Sequence, residues 1–259
     1  MANSSSGDSM VNRLVRIIEA FDADHRSLSA AELARRADLP SSTTYRIVED
    51  LLGESLLERH GQRLRLGNRL WELVSRGSPV LGLREAALPF MEDVQSVVGH
   101  HTALGVLDGN DVLYIERIGS NEMTTNIAQV ARRLPAHGTS TGLVLTAFAT
   151  AEVQEAFLRR RLPALTDTTI TDPAELRRVF AEIRRTGHCV MPGLIVPEST
   201  GVAVPVFDRA GTAVAGLSVI IPRHGGPVAT SVTALRTASR GISRALGWHR
   251  PLGDAVRRP

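Results

Sequence analysis

Ser41, Ser42, Thr43, Tyr45 and Arg46 crowd hydrogen-bonding groups into a short stretch of the chain. Short hydroxyls can read base edges in a DNA major groove, and the arginine fork matches O6 and N7 of guanine. Further on, Arg59, Arg63 and Arg65 offer cations suited to phosphates or to an adjacent minor groove. The segment Gly138–Thr139–Ser140–Thr141–Gly142 has the form G-x-S-x-G of a serine-hydrolase elbow. Asp208 and His224 follow it in the chain order of a triad. An elbow needs an apolar strand before its serine, and ARRLPAH is a poor strand; the simpler reading is that Ser140 and Thr141 cap a helix. His100, His101, His137, His188, His224 and Cys189 show no metal-ligand spacing. No metal or cofactor is expected.

The first group needs a scaffold, and the sequence supplies one. Val11, Leu14, Val15, Ile18 and Phe21 recur at helical spacing. Ser29 and Glu32 form the S-x-x-E capping box of a second helix. Pro40 stands where a third begins, since its missing N–H is not needed there. That third helix spans about 41–52, with Thr44, Ile47, Val48, Leu51 and Leu52 on one face. Two strand-like runs, 56–59 and 63–66, turn at His60–Gly61–Gln62, and in the second run Arg63 and Arg65 alternate with Leu64 and Leu66. Three helices and a basic hairpin in this order predict a winged helix-turn-helix.

Residues 68–80 read as a linker helix interrupted by Gly77, Ser78 and Pro79. A long amphipathic helix is expected from Leu83 to Val98, with Pro89 inside it. Beyond it come β-like runs at 101–107, 112–118, 189–191, 201–207 and 213–221, with a further strand at 124–130. Helices are expected from Leu143, at 151–160, from Asp172 to Gly187 and at 228–246. Strands in clusters with helices at the ends predict an α+β domain, not a doubly wound sheet.

The chain has 259 residues, 43% of them hydrophobic and 22% charged, an ordinary globular balance that argues against a disordered or fibrous chain. No apolar run is long enough for a membrane helix. The polar N-terminus is no secretory signal. One cysteine cannot form an internal disulfide, which fits a cytoplasmic protein. Net charge is +3 although the pI is about 9.9, because all 30 basic residues are arginine. Residues 1–66 hold nine Arg against ten Asp plus Glu, so any basic surface there is local. That neutrality also leaves room for a ligand sensor whose helical head binds a protein.

The segments RLVRIIEAF, LSAAELARRADLPSSTTYRIVEDLL, LLERHGQRLRLGNRLWEL, LPAHGTSTGLVLTAF and GVAVPVFDRAGTAVAGLSVIIP resemble the IclR family of bacterial transcription regulators. The resemblance covers roughly residues 10–247. It implies a ligand-responsive regulator, more readily a repressor, that is not an enzyme and binds double-stranded operator DNA. It implies an α+β chain in which a winged helix-turn-helix (10–67) is joined by a linker helix (68–81) to a GAF-like effector domain (82–248). Residues 1–9 and 249–259 are expected as flexible tails. The resemblance also implies a homodimer or a dimer of dimers, since one head reads only a few base pairs.

In the family the loop after L-P-x-H opens a helix whose amides face a small effector, commonly a carboxylate. That assigns Ser140, Thr141 and Gly142 here, a natural anion site, and a serine of the last core strand matches Ser218. This chain has Met191–Leu194 and Ile220 where relatives that bind small hydroxy acids carry further polar residues. A larger, partly apolar or aromatic carboxylate is therefore expected.

Overall fold

The computed structural model describes residues 8–22, 24–119 and 129–249, and the chain divides into two units, 1–79 and 80–259. In the first unit, helices α1 (Met10–Glu19), α2 (Ala30–Arg36) and α3 (Ser41–Gly53) precede a hairpin of β1 (Leu57–His60) and β2 (Arg63–Leu66) and helix α4 (Asn68–Ser75). Ser9 caps α1, and Ser29 and Glu32 complete the expected capping box on α2. Ile17, Leu33, Ile47, Leu51, Leu57 and Leu64 close one core. Leu28 joins the hairpin as a third short strand through paired backbone bonds with Leu64, of 2.9 and 2.7 Å.

Two arginines brace these helices reciprocally. From α1, Arg16 donates to the carbonyls of Ala37 and Asp38, in the turn before α3. From α2, Arg36 donates to the Ala20 carbonyl (2.7 Å) and to Asp22 (2.6 Å), just after α1. Each guanidinium satisfies acceptors freed where a helix ends. The turn carrying Asp38 at φ 51° is thereby tied to α1, which fixes where α3 begins.

Helix α5 (Pro79–Val98), all but its first residue in the second unit, starts four residues earlier than the expected Leu83, because Pro79 suits a first helical turn. Pro89 is exposed within it, so the unpaired carbonyl one turn back can meet water. A six-stranded antiparallel sheet follows, ordered β5-β4-β3-β8-β7-β6. Its strands are β3 (His101–Asp108), β4 (Asp111–Ile118), β5 (Arg133–Pro135), β6 (Cys189–Pro192), β7 (Ser199–Phe207) and β8 (Ala213–Pro222). The hairpins at 108–111 and 207–213 form as expected. The strand expected at 124–130 lies mostly outside the described residues.

One face of the sheet packs on α5 and α9 (Val228–Ala245) around Met91, Leu104, Leu217 and Leu235. The other packs on α6 (Ser140–Phe148), α7 (Ala151–Leu158) and α8 (Pro173–Thr186) around Leu143, Phe157, Phe180 and Ala203. The α+β class is as expected. Among the described residues no helix is long and apolar enough to cross a membrane.

Candidate nucleic-acid interface and effector site

Helix α3 is two-sided. Thr44, Ile47, Val48 and Leu51 are buried, while Ser41, Ser42, Tyr45 and Arg46 are exposed and Thr43 is half-buried. Pro40 precedes the helix without a side-chain cap, which leaves first-turn amides free of intrahelical partners. Arg46 stands exposed with no carboxylate at ion-pair distance among the described residues.

The three hairpin arginines are held differently. Arg59 pairs with Glu49 of α3. Arg63 reaches the Ser27 carbonyl (2.7 Å) and Glu32 (3.0 Å), linking the hairpin to the start of α2. Arg65 donates to Glu58 at 2.8 Å, and the other oxygen of Glu58 accepts the Asn68 amide at 3.1 Å. Glu58 is held below the ordinary carboxylate range, first by that amide and then by Arg65. Glu32 is lowered chiefly by the Ser29 amide and hydroxyl, with Arg63 a smaller cause. The near-neutral charge of the head thus has a structural counterpart: the hairpin cations are paired at the surface, and Arg46 is not.

In the second unit, α6 starts at Ser140, three residues before its apolar run at Leu143. The cap is Thr139, whose hydroxyl accepts the Gly142 amide at 3.0 Å. Neither Ser140 nor Thr141 caps the helix. Both are buried, and the first turn lies directly on the sheet. A Cβ built on Gly201 would stand 2.5 Å from the Ser140 hydroxyl, and one on Gly216 would stand 2.7 Å from the Thr141 methyl. Facing pairs put Gly105 beside Gly216, and Ser218 between Ala103 and Ala203. Small residues therefore floor the start of α6, and Ser218 occupies the row between the two glycine positions.

Ser218 is 1% exposed, and its hydroxyl donates to the Ala103 carbonyl at 3.3 Å. Tyr114, buried beside Gly105, donates to the Thr141 hydroxyl at 3.4 Å; burial pushes its phenol above the ordinary range. At the back of α6, a Cβ on Gly142 would lie 2.2 Å from the Ala136 carbonyl oxygen. The sequence reading missed Thr139, Tyr114 and the glycine floor. Glycines inside strand-like runs were the available signal, because they mark close approach of another element.

A hydrolase triad does not assemble. Asp208 lies in the turn before β8, with its carboxylate on the Ala210 and Thr212 amides, and His224 lies beyond the far end of that strand. Ten residues of strand separate them by roughly 30 Å. The expected poor strand at 131–137 contains a three-residue edge strand, β5, which is too short to form the central strand of an elbow. Among the described residues no group of His, Cys, Asp and Glu could hold a metal. Cys189 is buried and its thiol is pushed well above the ordinary range by burial alone.

Residues 10–61 match the IclR helix-turn-helix domain, and residues 79–244 match the bacterial transcriptional regulator IclR C-terminal domain. The chain is 30% identical over 229 residues to the HTH-type transcriptional regulator BhcR of Paracoccus denitrificans, covering 85% of this chain and 80% of the relative. It is 29% identical over 247 residues to the HTH-type transcriptional regulator KdgR of Escherichia coli, covering 93% and 94%. An IclR homolog from Microbacterium hydrocarbonoxydans, crystallised with 4-hydroxybenzoate, superposes with a TM-score of 0.85 at 44% identity, over 92% of this chain and 99% of that one. With both units matched, the chain belongs to the IclR family of bacterial transcriptional regulators: a DNA-binding protein with an effector-binding domain, not an enzyme.

Proposed function

We propose that this protein is a repressor that releases or repositions its operator when an aromatic or partly apolar carboxylate enters the second unit. The observation that carries the DNA half is α3, where Ser41, Ser42, Tyr45 and Arg46 stand exposed opposite a buried Thr44–Ile47–Val48–Leu51 face. With Thr43 they form the base-reading surface. Arg59, Arg63 and Arg65 meet phosphates after exchanging their carboxylate partners. Occupying a promoter suffices for repression and needs no further contact surface.

The effector's carboxylate is received by the first-turn amides of α6 at Ser140 and Thr141, with the hydroxyls of both residues alongside and Gly142 keeping the turn tight. Ser218 has its proton committed to Ala103, so it suits a ligand hydroxyl that donates to it. Support for an aromatic acid comes from the similar Microbacterium protein with 4-hydroxybenzoate, and from Met191, Leu194 and Ile220 on this side of the sheet. We place the head at 10–67, the linker at 68–81 and the effector domain at 82–248, acting in the cytoplasm as a homodimer or dimer of dimers. Two heads lengthen the site read and raise specificity.

The test is binding of the full-length protein to its own upstream DNA against random competitor, at two salt concentrations, with and without 4-hydroxybenzoate. Specific, salt-sensitive binding weakened by the acid is expected. In Arg46→Ala, discrimination falls by about 1–3 kcal/mol while non-specific binding persists. Equal losses on specific and random DNA would remove Arg46 from base reading. Shifts unchanged by the acid and by related aromatic carboxylates would remove that effector class.

A further inference from the structure

A cleft of about 760 Å³ opens where the ends of α6, α8 and β7 meet α9, and nothing in the regulator described above uses it. Its size is in the range of small-molecule sites. Arg236, Arg240 and Arg244 line one side at four-residue spacing, so they share one face of α9 and span about 12 Å of the helix. All three are exposed, and among the described residues none has a carboxylate at ion-pair distance. Arg184 adds a fourth cation, bonded only to neutral acceptors, the Ala147 carbonyl (3.0 Å) and Gln154 (3.2 Å). Arg185, at the rim, is neutralised by Glu182.

No carboxylate lines the cleft among the described residues. Elsewhere in this chain, arginines are commonly paired with acids, as at Arg59, Arg63, Arg65 and Arg177. The same cleft is lined by aromatic rings. Phe207 stacks on Trp248 with ring centres 5.5 Å apart and planes at 26°, and Phe148 meets Phe207 edge-on at 5.4 Å. A monocarboxylate would neutralise one arginine and leave the others repelling each other. Several negative centres a few ångströms apart, carried on a flat ring, complement the cations and the rings at once.

We propose that this cleft binds a nucleoside di- or triphosphate, with the phosphates along Arg236, Arg240 and Arg244 and the base against the Phe148–Phe207–Trp248 rings. It is a second ligand site, on residues other than those assigned to the effector. Residues 250–259 follow the cleft in the chain with three arginines against one aspartate, so their side chains offer little anion for this row.

Trp71 and Trp248 are the two tryptophans, so the full-length Trp71→Phe protein makes Trp248 the sole indole. Its fluorescence is followed during titration with ATP, ADP, adenosine and tripolyphosphate at about 50 mM salt, where phosphate contacts are least screened. ATP and ADP are expected to saturate one site per chain. Adenosine and tripolyphosphate are each expected to bind at least about tenfold more weakly. The Arg236→Ala/Arg240→Ala pair should lose at least about tenfold in ATP affinity with an unchanged melting temperature, because both side chains are exposed. No saturable nucleotide binding, or an affinity unchanged in the double variant, would overturn the site. Tripolyphosphate binding as tightly as ATP would overturn the nucleotide assignment. Loss of DNA affinity in the double variant with no nucleotide response would assign the row to DNA phosphates instead.

Discussion

In the head, the hairpin arginines sit at the surface, each against a carboxylate: Arg59 on Glu49, Arg63 on Glu32, Arg65 on Glu58. In the second unit, Ser140, Thr141 and Ser218 are buried on a floor of small residues, and their surroundings are backbone and sheet. Exposed ion pairs contribute about 0–1 kcal/mol each, so a phosphate can replace a carboxylate at little cost. A buried turn resting on glycine cannot be rearranged without moving backbone. One region works through exchangeable charge and the other through fixed shape, and substitutions should divide accordingly.

The largest expected effect tests the fixed-shape half. Gly142→Ala places a Cβ 2.2 Å from the Ala136 oxygen and 2.4 Å from its Cα, where only backbone can yield. The second unit should lose about 3 kcal/mol or more, while the head melts as before. Trp248 fluorescence reports the second unit, and protection of the buried Ile47 and Leu51 amides reports the head; an unmoved Trp248 transition would break the comparison.

Next comes a place where the head uses charge structurally. Arg36→Ala removes donors to Ala20 and Asp22 and should destabilise the head alone by roughly 1–2 kcal/mol. Native-state exchange of the Ile47 and Leu51 amides checks it, and a loss below about 0.3 kcal/mol would put this brace among the dispensable surface pairs.

A smaller effect concerns exchange itself. Arg63→Ala should lower the salt slope of DNA binding by about one, and Glu32→Gln should tighten low-salt binding by a few-fold. A slope unchanged in both variants would leave Arg63 as a tie between hairpin and α2 only.

The smallest effect is a titration. Glu58 has a lowered folded-state pKa, so its contribution is complete above the unfolded value of about 4.5 and is lost as pH falls through the folded value. Protection of the Asn68 amide, measured against its intrinsic exchange rate, should fall over that acid range, and Glu58→Gln should flatten the dependence. Protection at Asn68 that ignores both pH and the substitution would uncouple the hairpin from α4.

Much of the head was legible because its signals are local. The capping box at Ser29 and Glu32, the position of Pro40 and the period of Ile47, Val48 and Leu51 all act within a few residues. The pairing of the wing arginines was not legible: Glu49 and Glu32 come from other elements, and no spacing rule connects Glu32 to Arg63. Helix α6 was placed three residues late because Ser-Thr-Gly is a weak helical run, and Thr139 together with the packing on the sheet overrides that weakness. Strand β5 was missed because three residues at a sheet edge show little periodicity. The effector-site residues entered through family resemblance. Their burial and their glycine floor follow from β3 and β8 being neighbours, which the sequence does not announce.

That neighbour relation bears on how the chain is made. Ala103 and Ser218, paired at the centre of the sheet, are 115 residues apart, whereas the head's hairpin pairs residues only a few positions apart. At about 5–20 residues per second, a ribosome needs roughly 6–23 s to deliver β8 after β3. During that interval the head is complete and can fold. The β3–β4 hairpin waits with the open edge that β8 later covers and the apolar face that α6 later covers, an arrangement prone to pairing with other chains. Overproduced protein should therefore be lost mainly while its second half is being translated, and slower synthesis, which leaves fewer such nascent chains waiting together, should raise the soluble yield.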